Sequence, residues 1–222
     1  MLTNFNKTEK IYLSKLMTKI LRHKAKDYGL NIDDEGFIKL NDLINYIKNN
    51  FNKPNYALIN KDLIKEIVEI DKNESKGRFY LVEQFDNNNS FFKIRANQGH
   101  SIQVKNLELK KITLENVQNY GLIVHGSYIK YKNSIEQNGL KKMSRIHIHM
   151  TDLMTEKGFS LIRQNIDMYV VVNLIECIKD GLEFFESTNN VILSKDDIPA
   201  KYLTLYDKNT ENDLSKYKHK YL

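Results

Sequence analysis

Cysteine, arginine and long apolar runs are the scarce features of this 222-residue chain. The single cysteine, Cys177, excludes an internal disulfide and supplies no metal cluster by itself. No run approaches the roughly 20 apolar residues that a membrane helix needs, and residues 1–7 lack the apolar stretch of a secretory signal. Walker loops and G-x-G-x-x-G turns are missing, which leaves ordinary nucleotide folds without a foothold. No internal repeat is visible. The expectation is an intracellular protein of the cytoplasm, or of nucleus and cytoplasm, with no membrane contact and acting as a monomer.

Apolar and aromatic residues make up 41% of the chain, enough for a core in one large domain or two small ones. The formal charge of +6 favours a polyanionic partner such as nucleic acid, although a Lys-rich composition alone makes a chain basic. The 34 basic residues include only five arginines: Arg22, Arg78, Arg95, Arg145 and Arg163. Lysine solubilises as well as arginine does, but it does not replace a planar, permanently charged fork on phosphate. Each arginine is therefore a candidate site residue.

Residues 8–24 carry apolar side chains at Leu13, Leu16, Met17, Ile20 and Leu21, the stripe of an amphipathic helix that ends in Arg22-His23-Lys24. Further helices are expected over 41–48 and 60–70. Strands over 78–84 and 90–95 should be joined by the turn Asp86-Asn87-Asn88-Asn89. Beyond them, Leu122-Ile123-Val124 reads as a buried strand ending at His125-Gly126-Ser127. Residues 131–138 read as a helix closing on Gly139, a C-cap residue. Ile146 to Met150 alternates like a strand with its imidazoles on one face, and 168–174 and 190–193 add β-rich runs. The polar stretch 105–119 suggests a boundary. It divides the chain into residues 1–112, 113–206 and a frayed basic tail, 207–222.

An Arg-His pair at a helix end is commonly only a capping cation beside a satisfied imidazole. Ile94-Arg95-Ala96-Asn97-Gln98-Gly99-His100-Ser101 is richer, since it sets a cation, two amides, a flexible glycine, an imidazole and a hydroxyl just after a strand. That set can grip a phosphodiester from several directions. His147 and His149 share a strand face, but no Cys or carboxylate follows at ligand spacing, so no metal is expected.

In order, these motifs resemble the RNA 2′-phosphotransferase family of tRNA splicing and its bacterial relatives. The resemblance runs from Leu13-Ser14-Lys15-Leu16 and Leu21-Arg22-His23-Lys24 through Glu35-Gly36-Phe37 to the octet at 94–101, its most specific part. It continues with Val124-His125-Gly126-Ser127, Gly139-Leu140 and Ser144-Arg145-Ile146-His147-Ile148-His149. It closes on Asp180-Gly181-Leu182, Phe185, Ser187, Asn189 and the stretch from Ile198 to Leu203. Ser127 replaces the threonine of many members, Asn190 stands where glycine is usual, and residues 48–76 look longer than usual.

The resemblance implies an α+β fold: an N-terminal winged-helix-like RNA lobe and a C-terminal, β-rich lobe like that of the ADP-ribosyltransferases. It implies that the enzyme moves an internal 2′-phosphate from spliced tRNA, or a similar RNA, to NAD, which is consumed as a co-substrate. The products are 2′-OH RNA, nicotinamide and ADP-ribose 1″,2″-cyclic phosphate, formed through an ADP-ribosylated RNA. The implied catalytic set is Arg22, His23, Arg95 and Arg163. Lys24, Asn97, Gln98 and His100 fall to the RNA. His125, Gly126, Ser127, Arg145, His149, Ser187 and Asn189 fall to NAD. Alternatives are an NAD-dependent ADP-ribosyltransferase acting on terminal phosphates of RNA or DNA, and a non-catalytic RNA-binding winged helix.

Overall fold

In a computed structural model describing residues 5–73, 77–87, 89–155, 158–162 and 165–208, the chain divides into two units between Glu108 and Leu109. In the first, α1 (Lys7–Lys19) starts on a capping box. The Asn6 side chain accepts from the Glu9 N–H at 3.0 Å, and the Glu9 carboxylate accepts from the Asn6 N–H at 2.8 Å. Leu13, Met17, Ile20 and Leu21 are fully buried, as the stripe predicts. The helix nevertheless does not continue as α to residue 24. At Ile20 it widens into a π turn, Ile20–Lys24, which carries Arg22 and His23. Such turns are uncommon and recur at functional sites.

α2 (Leu40–Asn50) and α3 (Lys61–Asn73) outrun their predicted spans by two or three residues at an end and bury Leu43, Ile44 and Ile47, and Leu63, Ile64 and Ile67. The Asn60 side chain opens α3 by accepting from the Leu63 N–H at 2.9 Å. The helices pack on a three-stranded antiparallel sheet ordered β1 (Ile38–Lys39), β3 (Asn89–Ala96), β2 (Phe79–Asp86). Its register points Ile38, Phe79, Leu81, Ile94 and Ala96 into the core. Arg78 is accounted for here: its Nε lies 2.6 Å from Oδ1 of the buried Asp71, and the same carboxylate accepts from the Arg78 N–H.

The second unit is built on a seven-stranded antiparallel sheet, ordered β10-β7-β5-β6-β9-β8-β4. In chain order the strands are β4 (Leu109–Ile112), β5 (Ile123–Ser127), β6 (Ile148–Asp152), β7 (Met168–Val172), β8 (Phe184–Ser187), β9 (Val191–Ser194) and β10 (Leu203–Asp207). α4 (Lys132–Asn138), a single turn α5 (Gly158–Leu161) and α6 (Leu174–Lys179) lie between them. One core gathers Ile123, Met150, Val170, Phe184 and Ile192 with Leu174 and Tyr202; a smaller one joins Leu122, Val124, Ile166 and Val171. The Asp180 carboxylate accepts from Lys201 Nζ at 2.8 Å and from the Tyr202 hydroxyl, tying two late motif blocks together.

The α+β class expected from the sequence is the class observed. Several boundaries differ, and the strand expected over 146–150 is observed as Ile148–Asp152. β4 pairs with β8 along its whole length, so the division falls four residues before the expected 112/113. Asp207 pairs with Met168 as the last residue of β10 and is not yet tail, while residues 209–222 lie outside the described residues. Leu174 begins a helix, because the Asn173 side chain accepts from the Glu176 N–H at 3.2 Å and stops the strand. No helix among the described residues is long and apolar enough to cross a membrane.

Gly139 closes α4 at φ +72° and ψ −167°, a region open essentially to glycine alone, and a Cβ there would land on the Ile198 carbonyl oxygen. Gly139→Ala is expected to destabilise the protein by about 1–3 kcal/mol from backbone strain alone, read as a lowered urea midpoint. Burial pushes the Cys177 thiol up to about 12, with Asp180 adding to the effect. At pH 8 the native thiolate fraction is then on the order of 10⁻⁴. Iodoacetamide should leave the folded protein unlabelled and label it readily in denaturant; mass spectrometry that finds native labelling would contradict this burial.

Candidate active site

The π turn and the octet after β3 are 70 residues apart in sequence and bonded in space. The Arg22 carbonyl accepts from the Ser101 N–H at 3.0 Å and from the Ile102 N–H at 3.4 Å. His23 Nδ1 and Ser101 Oγ are 3.0 Å apart. Gly99 permits the closure in two ways. Its φ is +86°, and a Cβ on it would lie 3.0 Å from Arg22 Nη1 and 3.2 Å from Arg22 Cζ. The glycine of the octet is thus the floor on which the Arg22 side chain lies.

Arg95, the penultimate residue of β3, is only 3% exposed. Its guanidinium carbon sits 4.7 Å from the Phe37 ring centroid and 5.2 Å from that of Tyr80. Nη2 meets the Glu108 carboxylate at 2.9 Å, and Nη1 donates to the Glu35 carbonyl at 3.4 Å. The Glu108 side chain is 70% exposed. A solvent-facing carboxylate therefore rests on a buried guanidinium, an arrangement in which a phosphate oxygen can replace the carboxylate oxygen.

Asn97 is buried, and its side-chain amide donates to the Gly77 carbonyl at 2.6 Å and to the Phe79 carbonyl at 3.4 Å. Its amide pins the end of β3 to the start of β2, and a contact from that nitrogen to RNA would have to displace one of these bonds. His100 is buried beside Gly36, Gln98 is half-buried, and Lys24 pairs with Asp27 at 2.8 Å. The hydrogen bond to Asp27 holds the Lys24 ammonium above its ordinary pKa.

In the second unit, His125 Nδ1 lies 2.8 Å from the His149 carbonyl oxygen. A carbonyl only accepts, so this nitrogen carries the proton, and neutral His125 has its lone pair on Nε2. Arg145 Nη1 donates toward His149 Nδ1 at 3.4 Å, which puts the lone pair of a neutral His149 on Nδ1. Arg145, His149 and His125 form a chain of contacts across β6 and β5.

The resemblance assigns Gly126 to NAD. What crowds its missing Cβ is instead protein: Ile162 Cγ2 and Ile166 Cδ1, each 3.0 Å away. Ser127 is buried on β5. Ser187 and Asn189 meet each other, Oγ to Oδ1 at 2.8 Å, in the β8–β9 turn. Ser187 Oγ also accepts from the Val191 N–H at 3.1 Å. Asn190 takes φ +61° there, a conformation that glycine adopts freely and asparagine tolerates.

Arg163 lies outside the described residues. His147 precedes β6 and packs against Phe185 at 6.4 Å, and burial, with Lys142 and Lys195, lowers its pKa. Among the described residues no three His, Cys, Asp or Glu side chains gather as a metal site would require.

Sequence reasoning missed Glu108 and the ring pair that holds Arg95. Phe37 stood in a quoted motif, but Tyr80 is recognisable only once the register sets it opposite Arg95.

A family model described as "RNA 2′-phosphotransferase, Tpt1 / KptA family" matches residues 8–196. The "tRNA 2′-phosphotransferase 1" of Danio rerio is 33% identical over 189 residues, covering 84% of this chain and 79% of that protein. A "Probable RNA 2′-phosphotransferase" of Flavobacterium johnsoniae is 31% identical over 191 residues, 86% of this chain and 93% of its own length. The "tRNA 2′-phosphotransferase 1" of Homo sapiens is 32% identical over 201 residues, 89% of this chain and 74% of its own.

Gly99→Ala should cost about 1–2 kcal/mol through its left-handed backbone and displace the Arg22 side chain. Urea unfolding reads the first effect, and a changed His23 imidazole shift in NMR reads the second. A wild-type midpoint together with an unmoved His23 signal would remove Gly99 as the floor of the site.

Proposed function

The chain belongs to the RNA 2′-phosphotransferase, Tpt1 / KptA family, and on that premise we propose that it transfers the internal 2′-phosphate of spliced tRNA, or of a similar RNA, to NAD. The products are 2′-OH RNA, nicotinamide and ADP-ribose 1″,2″-cyclic phosphate. The observation that carries this reading is the closure of the Arg95 octet onto the Arg22-His23 turn, through the Arg22 carbonyl and the His23–Ser101 contact. It joins two of the chain's five arginines and an imidazole in one bonded structure.

The substrate phosphate is itself the nucleophile, so the protein needs no serine or cysteine nucleophile. Its task is to hold a dianion and to stabilise charge as bonds change. Arg22 and Arg95 hold the 2′-phosphate. Glu108 marks the position on Arg95 that a phosphate oxygen takes, and the Phe37 and Tyr80 rings hold the planar fork in place. NAD supplies the electrophilic anomeric carbon, whose bond to nicotinamide breaks as a phosphate oxygen bonds to it. His23 then removes the proton of the ribose 2″-hydroxyl as that oxygen attacks phosphorus, and delivers it to the departing RNA 2′-oxygen.

Lys24, Gln98 and His100 contact the RNA, while Asn97 acts by ordering the Arg95 loop. Three helices followed by a hairpin support a winged-helix-like RNA lobe, and the all-antiparallel sheet supports an ADP-ribosyltransferase-like NAD lobe. In that lobe Arg145 faces the pyrophosphate, and His125 offers its Nε2 lone pair to a ribose hydroxyl. Ser127 and His149 flank them. Gly126, Ser187 and Asn189 shape the backbone of the NAD site.

An RNA with one internal 2′-phosphate, incubated with NAD and the folded protein, should yield ADP-ribose cyclic phosphate by mass spectrometry; its absence ends this reading. Arg95→Ala is expected to lower the rate on the order of 10²-fold or more. His23→Ala should let ADP-ribosylated RNA accumulate, because the second step alone is impaired.

A further inference from the structure

The sheet of the first unit has a second face. Arg95, Lys93 and Phe91 alternate along β3 on the side away from the core, and the register sets Tyr80, Val82 and Gln84 opposite them on β2 and Lys39 opposite Lys93 on β1. This face is open: Tyr80 is 42% exposed, Lys39 is exposed, and Val82, Gln84, Phe91 and Lys93 are partly so. A solvent-facing sheet surface built from rings and cations is unusual where only solubility is required.

The cations and rings are interleaved. Lys39 Nζ stands 5.5 Å from the Phe91 ring centroid, as Arg95 stands over Phe37 and Tyr80. Behind the hairpin, Lys61 and Lys65 lie 5.2 and 4.2 Å from the Phe92 ring. Lys93 meets the Asp33 carboxylate at 3.0 Å, and Asp33 is itself fixed by accepting from the Phe37 N–H at 2.8 Å. Asp33 on Lys93 repeats the pattern of Glu108 on Arg95: a partly exposed carboxylate rests on a more buried cation, with side-chain exposures of 39% against 23% and 70% against 3%.

We propose that this face is the track for the single-stranded RNA flanking the 2′-phosphate. Phe91 stacks a base two steps beyond Arg95, and Lys93 and Lys39 follow the intervening phosphates. The proposal rests on the reading of Arg95 as a phosphate-holding residue. Arg95 to Phe91 spans about 13 Å of extended strand, so an RNA chain leaving Arg95 meets a cation and then a ring. Stacking on an aromatic side chain requires a base out of its duplex stack, so the track selects unpaired strands. A base on the Phe91 ring displaces the flexible Lys39 ammonium, which is then placed for a phosphate.

Two RNAs test this: a dinucleotide with one internal 2′-phosphate, and the same unit centred in an unpaired decamer. The wild type should show a KM for the decamer about tenfold or more below that for the dinucleotide, the value of one stacked base with its phosphates. Phe91→Ala and Lys39→Glu should erase most of that advantage, leave kcat on the dinucleotide unchanged and keep the wild-type unfolding midpoint. Phe91→Tyr should restore it. Fluorescence anisotropy with a decamer lacking the 2′-phosphate gives a readout without turnover. If Phe91→Ala and Lys39→Glu bind it as tightly as the wild type, and the length advantage persists, the track is wrong even though the enzyme turns over. If the wild type turns over neither RNA, but these variants lose decamer binding, the track stands and the proposed reaction falls.

Discussion

The last carbonyls of a helix have no partner within it, and whatever bonds them decides where the chain goes next. Here the Arg22 carbonyl is bonded by the Ser101 N–H. The widened π turn presents that carbonyl outward, and the loop after β3 supplies the donor. One backbone bond thereby couples the Arg22-His23 turn to the Arg95 strand. The rest follows from it: His23 reaches Ser101 Oγ, Arg22 lies across Gly99, and the octet is held as a loop of fixed shape. The groups of this loop are thus already placed, so little ordering entropy would remain to be lost if a ligand bound them.

How far the sequence disclosed this depends on the kind of signal each element carries. α2 and α3 were legible because a 3.6-residue stripe is repeated over several turns. The hairpin was legible because a run of Asp and Asn separates two β-rich segments. β4, β8 and β10 were not named beforehand. They are four or five residues long, and their meaning comes from partners far away in sequence: Leu109 opposite Ser187, and Leu203 opposite Val172. The π turn was invisible for a similar reason. The residues 20–24 continue the helical stripe, and the partners of the Arg22 carbonyl, Ser101 and Ile102, lie far along the chain.

The site shows the same division between residue type and residue role. Scarcity of arginine singled out Arg22, Arg95 and Arg78 alike, yet Arg78 is taken up by the buried Asp71. A motif residue can also be fixed by the backbone. Asn97 holds two carbonyls of the adjoining strand start, Ser187 closes a turn, and Gly126 is small because two isoleucines lie over it. None of these requirements could be read from the octet or the His-Gly-Ser string alone. Each becomes visible only when the partner segment is in place.

Arg95 shows why the fork could not be lysine. Its guanidinium is nearly buried, faces two aromatic rings and directs separate nitrogens to a carboxylate and a backbone carbonyl. A planar, weakly hydrated cation satisfies all four at once. An ammonium at the same depth would lose most of its hydration and has no planar face to lay against two rings while separate donors reach the carboxylate and the carbonyl. The exposed Glu108 carboxylate compensates this buried charge. A chain that mostly uses lysine for its positive charge thus has arginine at a point where burial, planarity and ion pairing coincide.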